Sequence, residues 1–292
     1  MNNLSVNIAE KENRSKNILS TIRNLPSVPV VMMEVNRLLN NSMTSARDLG
    51  KIIRKDQGLT TKILAIANSP LYGLPRRVST IEFAIVVLGF EQIKNIVVAL
   101  SIIQTFNDKS RDDWQRKKFW YHSVTTASIA KKIADDLGRS KVGGEIFTAG
   151  LLHDLGISVM HLYFNQEFKK IISLVETKES SYLKAEMDVL GITHQDIGLF
   201  LADKWNLPNT LSEIITFHHN PSAAPEVKEL AAIVHLADFM TQKFSIGDYT
   251  WDETMELDGN VGEILGFAND ILLQNFINSY EEIIEDHIEK II

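Results

Sequence analysis

The stretch from residue 150 to residue 156 reads Gly-Leu-Leu-His-Asp-Leu-Gly, and it decides how the rest of the chain is interpreted. Small or apolar residues lie three, four and seven positions before His153, which favours a helix with this imidazole on its core-facing side. Because glycine can take the left-handed conformation that ends a helix, we predict that the helix ends at Gly156. His153 and Asp154 would then lie in its last turn, where free carbonyl groups favour a bound cation.

The composition sets limits on what the protein binds. The 292 residues carry a formal charge of −7, from 30 basic and 37 acidic side chains, with no dense run of lysine or arginine. This balance argues against broad electrostatic capture of nucleic acid or of an anionic membrane. Because the chain has no cysteine, any metal site must be built from imidazole, carboxylate and water.

The same sequence predicts a protein of the cytoplasm. The longest apolar runs, such as residues 96–103, are far shorter than the roughly 20 residues of a membrane-spanning helix. Residues 1–17 form a polar tail without the apolar core of a secretory signal, so we expect no export.

Apolar residues recur at helical spacing from Pro26 to the end of the chain, without a long alternating pattern or a repeat of fixed period. We therefore predict an all-α protein in two parts. Residues 18–110 form an N-terminal helical subdomain, in which Ser79 and Glu82 are expected to make a capping box. A charged stretch at residues 107–113 marks the boundary, and residues 111–292 form a second helical domain.

The second domain places polar groups at core-facing or helix-end positions. These candidate ligands are His122, His153, Asp154, His194, His218, His219 and Asp238. A single buried histidine more often satisfies a hydrogen bond than binds a metal, but seven such groups together favour a metal site. The mixed nitrogen and oxygen set suits Fe, Mn or Zn, as one or two ions, and Asp154 could bridge a pair. His161 and His287 fit no pattern leading to this site, and His235 is expected to be a packed core residue or a support for the ligands.

The order of His122, the His153-Asp154 doublet and Asp238 resembles the first-metal ligands of the HD superfamily of phosphohydrolases. His194, His218 and His219 match the further histidines of its two-metal members. The chain is similar, more specifically, to the HDOD family (HD-related output domain) from about residue 25 to residue 240. The motifs that carry this resemblance are DQGLT at 56–60, ANSPLYG at 67–73, VSTI at 78–81, LG at 88–89, and the block 186–208 with its glycines, Trp205 and Pro208.

The HDOD resemblance implies an N-terminal helical subdomain packed on an HD-like helical domain. It also implies a bacterial signalling or regulatory output module that acts through protein partners, with a small-molecule or metal signal. The alternative is an active metal-dependent phosphohydrolase or phosphodiesterase.

The chain differs from the HD phosphodiesterases that cleave cyclic di-GMP. Their lysine after the doublet is replaced, since Ile157 follows Gly156, and their Gly-Tyr-Pro loop has no counterpart at residues 220–223. Lys118 stands where a third metal would need an acid. The sequence thus supplies a full ligand set without the known groups that hold a cyclic dinucleotide, and it leaves open whether the protein is an enzyme.

Overall fold

The computed structural model describes residues 43–72, 74, 76–105, 113–177, 180–244, 252 and 254–291, with six isolated positions before residue 43. Every regular element in these ranges is a helix, which confirms the predicted all-α fold. The predicted tail and the helix expected after Pro26 lie almost entirely outside the described residues, as does most of the boundary stretch at 107–113.

The described helices follow one another with short connections. In the N-terminal part they are α1 (Ala46–Ile53), α2 (Gln57–Ala67), α3 (Ile81–Leu88) and α4 (Phe90–Thr105). In the second part they are α5 (Asp113–Asp136), α6 (Gly143–Leu152), α7 (Leu155–Tyr163), α8 (Asn165–Glu176), α9 (Tyr182–Val189), α10 (His194–Lys204), α11 (Asn209–Phe217) and α12 (Lys228–Lys243). The closing helices are α13 (Val261–Ile264), α14 (Asp270–Asn278) and α15 (Glu281–Ile291).

The capping box expected at the start of α3 is wrong. Thr80 is the N-cap residue, and its hydroxyl accepts a hydrogen bond from the backbone N–H of Phe83. The Glu82 carboxylate pairs instead with Arg54 at the end of α1. With Thr80 as the N-cap, the third helical position is Phe83, which has no carboxylate, so a reciprocal capping box cannot form.

The Asn-Ser-Pro-Leu-Tyr part of the family motif has a structural role. The Asn68 side chain donates to the carbonyl of Val78 and accepts from its N–H, both at 2.7 Å. The 3₁₀ turn that follows, Pro70–Tyr72, packs against α5 and α15. The motif therefore closes the α2–α3 connection and places it on the second part of the chain.

Helix α5 is central to the second part, and α6 and α12 pack along it. Its residues 122–130 are all buried, including His122. A Cβ atom at Gly150 of α6 would lie 2.8 Å from Cα of Ala127 on α5, so glycine is needed for this close approach. The two helices therefore run close enough to bring His122 and the end of α6 together.

The predicted helix end at Gly156 is also wrong. Helix α6 ends at Leu152, His153 and Asp154 form a turn, and α7 begins at Leu155, so Gly156 lies inside a helix. A Cβ atom at Gly156 would lie 2.0 Å from the carbonyl oxygen of His194. The glycine is required because α7 contacts the first residue of α10, and not because the chain needs a left-handed conformation.

Two apolar cores hold the helices. The first joins α1–α4 to α5–α11 and includes Leu49, Ile96, Leu151 and Ile197. The second lies where α5, α12, α14 and α15 meet. Because the first core contains residues from both sides of position 110, the division into two parts stays a prediction.

Among the described helices, none is by itself long and apolar enough to cross a membrane. The pair α3 and α4 would pass by length and composition, but the two helices are bent by 117°.

Candidate metal centre

The structure brings all seven predicted ligands together in the second part of the chain. His122 lies on α5, His153 and Asp154 form the turn between α6 and α7, and His194 is the first residue of α10. His218 and His219 follow α11, and Asp238 lies on α12. The side chains come from five places in the sequence and form two adjacent groups.

The inner group consists of His122, His153 and Asp238, all buried. The Nε2 atoms of His122 and His153 face each other at 3.3 Å. Asp238 Oδ1 lies 3.2 Å from the first of these atoms and 3.7 Å from the second.

The outer group consists of Asp154, His194, His218 and His219. The Nε2 atoms of His194 and His218 lie 3.2 Å apart. The ring of His219 lies against the rings of His218 and His194, with centroids 4.2 and 5.1 Å away. His219 is the only one of the seven that is half-buried, so this group is nearer to solvent.

Asp154 lies between the two groups and offers one oxygen to each. Its Oδ2 is 3.3 Å from Nε2 of both His122 and His153. Its Oδ1 is 3.3 Å from Nε2 of His194 and 3.5 Å from Nε2 of His218. This arrangement is the one expected of a carboxylate that bridges two cations.

Hydrogen bonds on the far side of three rings fix their orientation. His153 Nδ1 donates to the carbonyl of Gly150 and His218 Nδ1 to that of Ile215, both at 2.8 Å. His194 Nδ1 donates to the Glu186 carboxylate at 2.9 Å. In the neutral form of each ring, the Nε2 lone pair therefore points into the site, as a metal ligand requires.

The buried charges shift one another's pKa values. Burial lowers the pKa of His218 to about 4, and the imidazoles of His153 and His194 add to this effect against the pull of Asp154. Burial acts in the same direction on His194, but the Glu186 carboxylate outweighs it and raises the pKa of His194 to about 9.

The pKa values of the two central carboxylates, Asp154 and Asp238, are both lowered. Burial favours their neutral forms, yet the adjacent imidazoles, His153 foremost, hold the pKa values of Asp154 and Asp238 well below the usual range. Among the described residues the cationic partners of these acids are all imidazoles, and no lysine or arginine pairs with either. When these imidazoles are neutral, Asp154 and Asp238 therefore lack a cationic partner among the described residues, and a bound metal ion would supply one.

The donor set fits divalent metal ions. Ligands bound to one ion at 2.0–2.1 Å stand about 3 to 3.4 Å apart, close to the spacings within each group. Facing Nε2 lone pairs repel unless a proton or a metal cation lies between them. Asp238 Oδ1 is buried without a hydrogen-bond donor, although two imidazoles are near it. A cation would satisfy this oxygen; that the seven residues bind one stays a prediction.

Glu186 also supports the site, and it is not among the seven residues predicted from the sequence. Glu186 is buried on α9 and contacts both the ring and the backbone of His194. Its helix carries Tyr182, Ala185, Glu186 and Val189 at i, i+3, i+4 and i+7, the same pattern that marked Asp238 as a carboxylate on a core-facing stripe.

Two other residues support the ligands. The side-chain amide of Gln242 lies 3.3 Å from Nδ1 of His122. His235 donates from Nδ1 to the carbonyl of His218 and accepts at Nε2 from the N–H of Asp258, so it braces the outer group. His161 packs on Phe168, outside both groups, and the side chain of His287 lies outside the described residues.

Comparison with known proteins agrees with this helical fold. The HDOD domain model matches residues 25–221, about two thirds of the chain. The protein therefore belongs to the HDOD family, as the resemblance implied. It carries a buried cluster of histidines and aspartates in the second part of the chain.

Individual relatives are more distant. An uncharacterized protein of Treponema pallidum is 27% identical over 237 residues, which cover 81% of this chain but only 45% of that protein. The chain thus spans less than half the length of this relative. An HDOD domain protein of unknown function from Geobacter sulfurreducens is 23% identical with a TM-score of 0.77, over 98% of this chain and 99% of that one. A Shewanella amazonensis protein, provisionally called a phosphohydrolase, is 22% identical with a TM-score of 0.68, over 94% and 98%. These likenesses show the shared fold.

Proposed function

We propose that the protein is a regulatory HDOD module of bacterial signalling whose HD-like part binds one or two divalent first-row metal ions. The observation that carries the proposal is the position of Asp154, which offers one oxygen to each pair of facing imidazole nitrogens. Membership of the HDOD family supports the regulatory role. We expect the module to act in the cytoplasm through protein partners, with metal occupancy as part of its signal.

The ligand chemistry supports a particular class of ion. Imidazole nitrogens suit Zn, Fe and other first-row metals, whereas Ca and Mg prefer all-oxygen sites. The set of five imidazoles and two carboxylates therefore favours Fe, Mn or Zn. His153, Asp154 and their neighbours would hold the ions, and Glu186 and Gln242 would orient two of the rings.

Elemental analysis of the purified protein, before and after loading with Zn, Mn or Fe(II), tests this proposal. We expect stoichiometric metal in the wild type and strongly reduced metal in His153→Ala and Asp154→Ala. His161→Ala is the matched histidine control, since this ring lies outside both groups, and it should bind as the wild type does. Wild-type protein that takes up no metal under any of these conditions would contradict the proposal.

A metal-dependent phosphohydrolase is the second candidate. The bridging position of Asp154 favours it, because two adjacent metals can lower the pKa of a bound water and polarise a phosphoryl oxygen. The half-buried His219 leaves the outer group nearer to solvent, where a substrate could approach. The provisional name of the Shewanella protein points the same way. Against it, the chain lacks the lysine after the doublet and the Gly-Tyr-Pro loop that cyclic di-GMP phosphodiesterases carry.

Turnover assays separate the two candidates. The metal-loaded protein should be assayed with cyclic dinucleotides, nucleotides and generic phosphodiesters. Bound metal without turnover would support the regulatory module. Turnover that is lost in both His153→Ala and Asp154→Ala would instead establish the enzyme.

A further inference from the structure

Glu186 is a fully buried carboxylate in the second part of the chain. It lies on α9, and both of its oxygens face one residue, His194 at the start of α10. Oε2 accepts from the backbone N–H of His194 at 2.9 Å, and Oε1 accepts from its ring Nδ1, also at 2.9 Å. A buried charge is retained only when it is paired and hydrogen-bonded, so this contact is a specific one.

The two hydrogen bonds fix both the backbone and the ring of His194. The first holds the backbone at the point where α10 begins, and the second sets the rotation of the ring. Together they leave Nε2 of His194 directed at Asp154 Oδ1, 3.3 Å away, and at Nε2 of His218, 3.2 Å away. Each of the other oriented rings in the site has a neutral partner on its far side, either a backbone carbonyl or the Gln242 amide.

We propose that Glu186 is a positioning residue for the outer group and that metal binding there depends on it, whereas binding at the inner group does not. This inference rests on the proposed metal binding. A carboxylate behind a metal-bound imidazole orients the ring and increases its basicity, and its loss costs about 10- to 100-fold in metal affinity. Glu186 makes this contact with His194 alone among the seven ligands.

A purely structural role for Glu186 would be to cap α10. That helix already has a complete capping box, in which the Thr193 side chain accepts from Asp196 N–H and the Asp196 carboxylate accepts from the N–H of Thr193. Asp196 therefore offers a matched control at the same helix end. It is exposed, and it makes no contact with an imidazole of the site among its described bonds.

The experiment compares Glu186→Gln with Asp196→Asn, two changes of a carboxylate to an amide of the same shape. The glutamine side chain is uncharged and keeps only one acceptor oxygen, so it removes the carboxylate charge and one of the two acceptors behind His194. Each metal-free protein is titrated with Zn²⁺ and with Co²⁺, and the number of ions bound, their Kd values and the Co²⁺ absorption spectrum are measured.

We expect Glu186→Gln to weaken one ion by about 10- to 100-fold while the other ion binds as in the wild type. Asp196→Asn should leave both ions and the Co²⁺ spectrum unchanged. Equal binding by the wild type and Glu186→Gln would overturn the inference, as would an equal loss in both variants. If the glutamine variant does not fold, Glu186→Asp, which keeps a shorter carboxylate, is expected to show an intermediate affinity for that same ion; wild-type affinity would overturn the inference.

The result also separates this inference from the proposed function. Wild-type protein that binds neither Zn²⁺ nor Co²⁺ would refute the metal site itself, and the inference with it. Wild-type protein that binds metal through residues indifferent to Glu186 would refute only the positioning role.

Discussion

The inner and outer groups share Asp154 but differ in how they are enclosed and supported. The inner group is buried on all sides, and its rings rest on neutral partners such as the Gly150 carbonyl. The outer group ends in the half-buried His219 and has a charged support in Glu186. Closed sites are typical of structural metals, whereas sites with an accessible side exchange ligands or bind substrates. The outer group is therefore the more accessible of the two.

The largest effect is expected from removing the residue that the two groups share. Asp154→Asn should weaken both ions by more than about 100-fold, because each loses an anionic ligand from a buried site. Asp238→Asn should weaken only the inner ion. Metal titration of the two variants checks this. An Asp154→Asn protein that keeps one ion at wild-type affinity would show that Asp154 is not a ligand of both ions.

Packing at the α7–α10 contact should affect the stability of the protein and, of the two ions, only the outer one. In Gly156→Ala the new Cβ meets the carbonyl of His194 at 2.0 Å, which must push the helices apart and destabilise the protein by about 3 kcal/mol. The outer ion should also bind more weakly, since His194 is displaced.

Gly259→Ala is the matched control for this change, because a Cβ there has no atom within 4 Å. Urea unfolding and metal titration of both variants provide the measurements. Wild-type stability in Gly156→Ala would show that the close approach of α7 and α10 is wrong.

In the metal-free protein, a buried histidine of the inner group should contribute more to the free energy of unfolding than the half-buried histidine of the outer group. His153→Ala leaves a buried cavity and an unpaired Gly150 carbonyl, so we expect the free energy of unfolding to fall by about 2 to 3 kcal/mol. His219→Ala, at a half-buried position, should cost under about 1 kcal/mol. Denaturant unfolding in the presence of a chelator measures both, and equal losses would remove the distinction between a closed and an open group.

The smallest effect is expected at Ser222, which is linked to His218 only through Asp258 and His235. The Ser222 hydroxyl donates to the carboxylate of Asp258, whose N–H bonds His235 behind the His218 turn. Ser222→Ala should therefore cost about 1 kcal/mol or less and change outer-ion affinity less than about threefold. A loss as large as that of Glu186→Gln would mean that the outer group depends on this distant network.

The helical fold could be predicted because its signals are local. Thr193 and Asp196, three residues apart in the sequence, form the capping box that begins α10. The seven candidate ligands could be selected because polar groups on apolar stripes are unusual. Gly156 was misinterpreted because its role depends on His194, which is 38 positions away in the chain and is brought close only by the packing of α7 on α10.

Glu186 shows what spacing alone cannot reveal. It lies on a core-facing stripe, but its importance comes from the direction of both carboxylate oxygens toward one residue of another helix. The division of the seven ligands into an inner and an outer group likewise depends on distances between helices, which no sequence interval encodes.

Anomalous X-ray scattering from crystals of the metal-loaded protein tests the central claim most directly. We expect peaks at the metal absorption edge within both groups, one among His122, His153 and Asp238 and one among His194, His218 and His219, with Asp154 between them. A loaded crystal with no anomalous peak among these seven side chains would contradict it.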